Sequence, residues 1–270
     1  MAGAGLTLDE WLPRVPQLLE ECVERWQLGL GEQYPAGAAG LAVRADLPDG
    51  TPAVLKLTNP HRETEQEGDA LERWDGDGAV RLLARDDERN ALLLERCEPG
   101  TFLSNEPCAL DVMVALLPRL WKSGDGFRTL EDEAGLWVDE IERSVPHGRL
   151  KDAALRFIAE LAPTQGEQVL VDQDLHGDNV LAAQREPWLA IDPKPLAGER
   201  EFSVAPIVRS FELGHSKRDA LHRLDRLTAE LGLDRDRARG WTIAQTVAWS
   251  GGSDYVSAHM ETVHWLLEDA

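Results

Sequence analysis

Cationic side chains are the scarce component of this sequence: Lys and Arg number 28 against 49 Asp and Glu, for a formal net charge of −21. That shortage argues against DNA or RNA as a partner, since phosphate neutralisation needs clustered Lys and Arg, and it disfavours anionic membrane surfaces for the same reason. Long apolar runs are also missing, and no segment approaches the roughly 20 unbroken apolar residues that span a bilayer. The opening stretch MAGAGLTLDE has neither a basic region nor an apolar core. It does not read as a secretory signal, and a cytoplasmic location is the expectation. Cysteine is confined to Cys22, Cys97 and Cys108, an odd number without CxxC spacing. Such a set fits buried thiols in a reducing compartment better than a disulfide framework. There is no internal repeat and no long low-complexity run. What the sequence does have is a 43% hydrophobic content, enough for one large domain or two lobes, and a negative field that would draw in a cationic ligand.

Along the chain the first element reads as one helix over residues 7–26, with Pro13 in its first turn and Pro16 tightening or bending it. Two runs of strand character, 41–45 and 52–57, flank the turn-forming Leu47-Pro48-Asp49-Gly50 and read as a hairpin. A helix over 61–75 follows, then strands at 80–84 and 91–94. After Pro99-Gly100 the pattern turns helical, over 109–122, 136–144, 150–161, 220–231 and 237–249, interrupted by short apolar runs at 169–171 and 188–191. The expected architecture is therefore α+β and bilobal: residues 1–97 form a small mixed-sheet lobe with one helix, and residues 98–270 a larger, mostly helical lobe.

Chemistry concentrates in VLVDQDLHGDNVLAAQREPWLAIDPKP, residues 169–195. Asp174-Leu175 followed by Asn179 matches the D-L-x-x-x-N core of a kinase catalytic loop. Asp192 follows the apolar run Leu189-Ala190-Ile191. Transfer of a phosphoryl group to a hydroxyl needs a carboxylate to orient the acceptor and take its proton, a role open to Asp174. It also needs hard oxygen ligands for Mg²⁺, which Asn179 and Asp192 could supply beside the nucleotide phosphates. Upstream, Lys56 alternates with Leu55 and Leu57 and so points to the opposite face of its strand. In a kinase lobe such a lysine reaches the phosphates and pairs with a glutamate of the following helix. Glu67 is the candidate, with Glu63 and Glu65 as near competitors that periodicity does not separate. Residues 34–40, Tyr-Pro-Ala-Gly-Ala-Ala-Gly, could cover the phosphates, although they do not match G-x-G-x-x-G. His176 lacks a histidine at i+4, so zinc chemistry is poorly supported.

These residues resemble the aminoglycoside and hydroxyurea antibiotic-resistance kinases, especially their streptomycin 6-phosphotransferase-like branch. The resemblance runs through residues 53–57, 67–71, 76–83, 91–100 and 174–198, and Asp192-Pro-Lys194 stands where protein kinases carry Asp-Phe-Gly. It implies a protein-kinase-like fold that binds ATP or GTP between its lobes, with Mg²⁺. Carried over, Lys56 and Glu67 form the phosphate-anchoring pair, Asp174 is the base, and Asn179 and Asp192 are the magnesium ligands. Leu94-Glu95-Arg96-Cys97 becomes the hinge whose backbone receives the nucleobase, which puts Glu95 and Cys97 at the cofactor. The implied acceptor is a small polar molecule, an aminoglycoside such as streptomycin, or hydroxyurea. Two departures stand out: Asp172-Gln173-Asp174 replaces the relatives' His-Gly-Asp, and Ser203 replaces an aspartate that braces the site. Asp172, Glu199, Glu212 and Asp254 are positional candidates for an acidic acceptor pocket. An endogenous amino sugar or other metabolite as acceptor is the alternative, as is a non-catalytic nucleotide- or small-molecule-binding module.

Overall fold

A computed structural model describes residues 7–35, 40–250 and 256–269. The chain divides into two units. One comprises the chain up to Thr101 together with Leu181–Lys194, the other Phe102–Val180 together with the chain from Pro195 onward.

Proline breaks up the first helical stretch. Helix α1 (Leu8–Trp11) runs into a 3₁₀ turn, Leu12–Arg14, that holds Pro13; α2 (Val15–Trp26) then carries Pro16 in its first turn. Each proline sits where its missing N–H costs no internal hydrogen bond, so one expected helix is three joined pieces. Strands β1 (Gly29–Gln33), β2 (Gly40–Asp46) and β3 (Pro52–Thr58), helix α3 (Glu67–Trp74), and strands β4 (Leu82–Asp86) and β5 (Ala91–Glu95) complete this part of the unit. The β2–β3 hairpin turns as expected. Gly50, at φ +85°, donates to the Leu47 carbonyl at 2.8 Å, and the Asp49 carboxylate accepts from the Thr51 N–H at 2.9 Å.

The sheet order is β1-β2-β3-β5-β4, and every pairing is antiparallel. The expected mixed sheet is thus corrected. Passage through α3 does leave β4 running parallel to β3, but β5 lies between them, so no parallel ladder forms. One face of the sheet buries Ala45, Ala53, Leu55, Leu57, Ala91 and Leu93 against Trp11 and Cys22, with Leu18, Leu19 and Val23 of α2 packed around them. Expected helix 61–75 shortens to α3, because residues 61–66 close turns on His61 and Asn59 instead.

The second unit begins with α4 (Ala109–Leu120), α5 (Leu130–Ser144), α6 (Arg149–Leu161) and β6 (Val169–Asp172). Helix α5 starts earlier than its apolar periodicity suggests, because Thr129 caps it by accepting from the Asp132 N–H and Glu131, Asp132 and Glu133 fill its first turn. Strands β7 (Val180–Ala182) and β8 (Trp188–Ala190) pair as a small ribbon leading to Asp192. Strand β9 (Pro195–Gly198) then pairs antiparallel with β6, Asp172 opposite Pro195. Helices α7 (Ala205–Arg209), α8 (Lys217–Leu231), α9 (Arg235–Trp249) and α10 (Ser257–Leu267) follow.

Helix α9 is the buried axis of this unit, lined on nearly every side by buried residues from Ala238 to Ala248. At Gly240 a Cβ would come within 2.7 Å of the Phe157 ring and 2.8 Å of Leu161, so the missing side chain is what lets α9 lie close on α6. Trp241 meets Trp137 and Phe202 at ring-centroid distances of 6.4 and 5.7 Å. The tryptophans Trp11, Trp74, Trp137 and Trp241 are packing groups, as their burial shows. Among the described residues no helix is long and apolar enough to cross a membrane.

Truncating the sheet core at Leu55→Ala should lower unfolding stability by about 2–5 kcal/mol in urea titrations, whereas exposed Leu83→Ala should stay within about 0.5 kcal/mol of wild type.

Candidate active site

In the first unit the site is built on β3. Lys56 pairs in register with Ala42 on β2 and Leu92 on β5, and pleating turns it away from the face that buries Leu55 and Leu57. Its ammonium lies 2.5 Å from Glu67 Oε1 and 2.5 Å from Asp192 Oδ1. Glu67 is the first residue of α3 and almost wholly buried. The competition among the three glutamates is thereby resolved: Glu67 takes Lys56, and Glu63 instead lies 3.7 Å from Lys194. Burial alone would lower the Lys56 pKa, but the charges and hydrogen bonds of Glu67 and Asp192 outweigh it and hold the ammonium protonated. Burial pushes Glu67 up, with Lys56 opposing.

Asp192 sits just beyond β8, half-exposed at 52%, with φ +53°. A non-glycine residue in the left-handed region is uncommon and tends to mark functional sites. Glu95 ends β5. Its carboxylate accepts from Arg185 at 2.9 Å and from the Arg81 N–H at 3.0 Å, and its own N–H donates to the Arg81 carbonyl at 2.9 Å. The Cys97 thiol is pushed up to about 12, chiefly by burial, and stays protonated. The covering loop expected over 34–40 lies mostly outside the described residues, as does Asp254.

In the second unit the catalytic-loop motif leaves buried strand β6. The Asp172 carboxylate accepts from the Asp174 N–H at 2.9 Å, and the Gln245 amide of α9 donates to the Gln173 carbonyl at 2.7 Å. The Asp-Gln departure is therefore accommodated by two hydrogen bonds that hold the backbone on either side of it. Asn179 donates its amide N–H to the Asp174 carbonyl at 2.9 Å. Because a carbonyl can pair only with the NH₂ end, that bond leaves Oδ1 to face other partners. Gly177 is required by crowding, since a Cβ there would fall 2.9 Å from the Ser104 backbone. Ser104 in turn donates to Asp178.

The Asp174 carboxylate lies 3.3 Å from Arg209 Nη2 and 4.0 Å from His176 Nε2. Arg209 is buried and stacks over Trp249 with its guanidinium carbon 4.6 Å from the ring centroid. Sequence reasoning missed it. The available signal was a single cation closing the apolar run Val204–Val208, a position where an arginine needs a partner. His176 Nδ1 lies 3.3 Å from Glu212. Burial would lower the His176 pKa, yet Glu212 and Asp174 together raise it; burial would raise Glu212, yet His176, its own backbone N–H and Ser210 together hold it down at about 2.

Of the acidic-pocket candidates, Asp172 holds the loop, and Glu199 is buried in a bidentate pairing with Arg237 and a bond from the Trp241 indole. Both are structural. Glu212 alone lines a cleft, of about 490 Å³, shared with Ser104, Asn105, Glu106, Leu110 and His222. Two arginines in its wall are already engaged, Arg223 by the Val208, Leu213 and Gly214 carbonyls and Arg226 by Asp111 and Glu230. Ser203 accepts from the Trp121 indole and donates to the Arg200 carbonyl, so its departure is absorbed locally. Among the described residues no group of three His, Cys, Asp or Glu side chains is placed to hold a metal ion.

A strand lysine paired to a helix glutamate, an Asp-Leu-x-x-x-Asn loop and an aspartate after a short strand, in an antiparallel-sheet unit and a helical unit, define the protein-kinase-like phosphotransferases. Solved structures agree on the fold. Choline kinase LicA from Streptococcus pneumoniae matches with TM-score 0.69 over 94% of this chain and 99% of its own, at 15% identity. Aminoglycoside phosphotransferase APH(4)-Ia matches with TM-score 0.64 over 94% and 99%, at 16% identity. The profile of the aminoglycoside/hydroxyurea antibiotic resistance kinase family matches residues 25–253. Streptomycin 6-kinase of Streptomyces griseus is 40% identical over 87% of this chain and 81% of its own length. Hydroxyurea phosphotransferase of Kitasatospora aureofaciens is 40% identical over 90% and 74%. The chain belongs to the aminoglycoside/hydroxyurea antibiotic resistance kinase family and is a small-molecule kinase.

The Glu95–Arg185 pair offers a pH test. Burial would raise the Glu95 pKa, but Arg185 and the Arg81 N–H hold it below the ordinary 4.5. A depressed carboxylate contributes stability above its unfolded pKa, and that contribution is lost as pH falls through the lowered folded value. Arg185→Met should therefore cost about 1–3 kcal/mol at pH 7, and in melts recorded at successively lower pH the gap to wild type should narrow below about pH 4.

Proposed function

We propose that this kinase transfers the γ-phosphate of ATP or GTP to a hydroxyl of a small polar acceptor, with streptomycin, which carries cationic groups, the first candidate and the neutral hydroxyurea the second. The observation that carries the reading is Lys56 held between Glu67 and Asp192: an ammonium kept charged and fixed is what a triphosphate needs. Asn179 and Asp192 fit Mg²⁺ by chemistry. Both offer hard oxygens, one amide turned so that its Oδ1 is left for other partners and one half-exposed carboxylate, and Mg²⁺ needs only one or two such protein ligands beside phosphates. When bound, the ion would neutralise charge on the phosphate oxygens.

Every other step falls to the chain's own groups. Lys56 binds the phosphates through charge, with Glu67 fixing its direction. Asp174, oriented by Arg209 and by the bond from its own N–H to Asp172, accepts the proton of the acceptor hydroxyl as that oxygen bonds the γ-phosphorus and the bond to the nucleoside diphosphate breaks. The backbone of residues 94–97 is assigned to the nucleobase. Acceptor binding is assigned to the 490 Å³ cleft, a size ordinary for small-molecule sites. Its arginines are spent on the protein itself, and Glu106, Asp219 and Glu212, the last shared with His176, give it an acidic lining that suits a cation. The relative named for streptomycin supports this choice, as does the net charge of −21, and the relative named for hydroxyurea keeps a neutral polar acceptor as the second candidate.

The test is transfer of labelled γ-phosphate, with and without Mg²⁺, to a panel of streptomycin, hydroxyurea and amino sugars. Mg²⁺-dependent labelling of streptomycin is expected; labelling of an amino sugar alone would move the assignment to a metabolite kinase, and nucleotide binding without transfer to any acceptor would reject the reaction. Asp174→Asn should reduce kcat by about 10²–10⁴-fold while leaving nucleotide affinity in calorimetry unchanged.

A further inference from the structure

The Asp192-Pro193-Lys194 segment carries more than a metal ligand. Asp192 holds φ +53° directly before a proline, and proline itself drives its predecessor toward extended backbone. A residue in so disfavoured a conformation keeps it only where the surroundings over-determine it. Two ion pairs do so. The Lys56 ammonium holds the Asp192 carboxylate at 2.5 Å, and Lys194, two residues on, lies 3.7 Å from Glu63 with both side chains only 22% exposed. Glu63 stands four residues before Glu67, in the turn that leads into α3. That turn is itself fixed, since the Thr64 hydroxyl donates to the Asn59 carbonyl at 3.1 Å and the Thr64 and Glu65 N–H groups donate to the His61 carbonyl at 2.8 and 3.0 Å. One pair of carboxylates, Glu63 and Glu67, thus faces one pair of lysines, Lys194 and Lys56, and the metal-ligand segment is fastened to the start of α3 at two points.

We infer that Lys194 and Glu63 form a clamp that positions Asp192 for the metal–nucleotide complex. The inference rests on the kinase reading above. Lys194 is a positioning residue: paired with Glu63, it acts by keeping the left-handed backbone of Asp192 from relaxing. Protein kinases carry glycine at the corresponding place, a residue with no side chain to fasten. In this chain the lysine does what glycine cannot, and Pro193 and Pro195 on either side of it stiffen the link.

Calorimetry on the full chain with ATP, in the presence of Mg²⁺ and of EDTA, separates the clamp from general stability. Lys194→Met and Glu63→Gln should each weaken the Mg²⁺-dependent part of nucleotide affinity by about tenfold, the low end of what losing an outer partner costs a metal site, and leave affinity in EDTA unchanged. The exchanged pair, Glu63→Lys with Lys194→Glu, should recover most of the loss, and Lys194→Arg should retain wild-type behaviour. Lys217→Met, which breaks an ion pair with Glu268, is the control for nonspecific charge effects. If Lys194→Met fails to fold, Glu63→Gln tests the same pair from its other side. Wild-type transfer with Mg²⁺-dependent affinity unmoved in Glu63→Gln and Lys194→Met alike, or lost in both but not recovered in the exchanged pair, overturns the clamp and spares the kinase. Absence of transfer by the wild type to any acceptor rejects the kinase reading and the clamp together.

Discussion

Everything around β3 depends on one buried ammonium with two carboxylates on it. An uncompensated Lys56 in that position would be neutralised or expelled, since burying a lone charge costs far more than one hydrogen bond returns. Glu67 supplies the compensation from a position that is itself buried, and Asp192 supplies it from one that is half-exposed. The asymmetry has a chemical use. Under the proposed reaction the inner carboxylate is a fixed counter-charge, and the outer one would exchange its lysine contact for a cation brought in with a nucleotide.

The second unit solves a different problem, which is to keep a loop rigid without regular structure. Four residues of catalytic-loop sequence carry bonds that elsewhere belong to helix or sheet: the Asp174 N–H to Asp172, the Gln173 carbonyl to Gln245, the Asp174 carbonyl to Asn179, and the Asn179 N–H to the His176 carbonyl. Each satisfies a backbone group that burial would otherwise leave orphaned. Gln245 can reach the loop because α9 is itself held within the core by Trp241, whose indole ends on Glu199.

Much of this was legible from the residues alone, for definite reasons. Lys56 stood out because a strand alternates, and the Asp174, Asn179 and Asp192 set because kinase chemistry fixes residue types at fixed spacings. The choice of Glu67 over Glu63 and Glu65 was not legible, because it turns on where α3 begins, and that depends on side-chain turns at Asn59 and His61. The antiparallel sheet was misread since strand order, unlike strand content, leaves no local trace. Strand β1, with Gly29, Gly31 and exposed residues, has no apolar alternation to detect, and α10 itself has weak helical periodicity. Arg209 itself, and the pairing of the candidate Glu212 with His176, escaped for a common reason. Their roles come from partners 35 and 36 positions away in sequence, Asp174 and His176, and no window along the chain contains both ends.

The bond from Asn179 to the Asp174 carbonyl has a consequence for how the site can vary. A carboxylate is isosteric with the amide and would attract a divalent ion more strongly, so Asn179→Asp looks at first like an improvement. It would also set two oxygens against each other where a donor now meets an acceptor. The loop would have to give up the carbonyl that positions the base in order to gain charge at the ion, and the amide is the one side chain of that shape able to serve both at once.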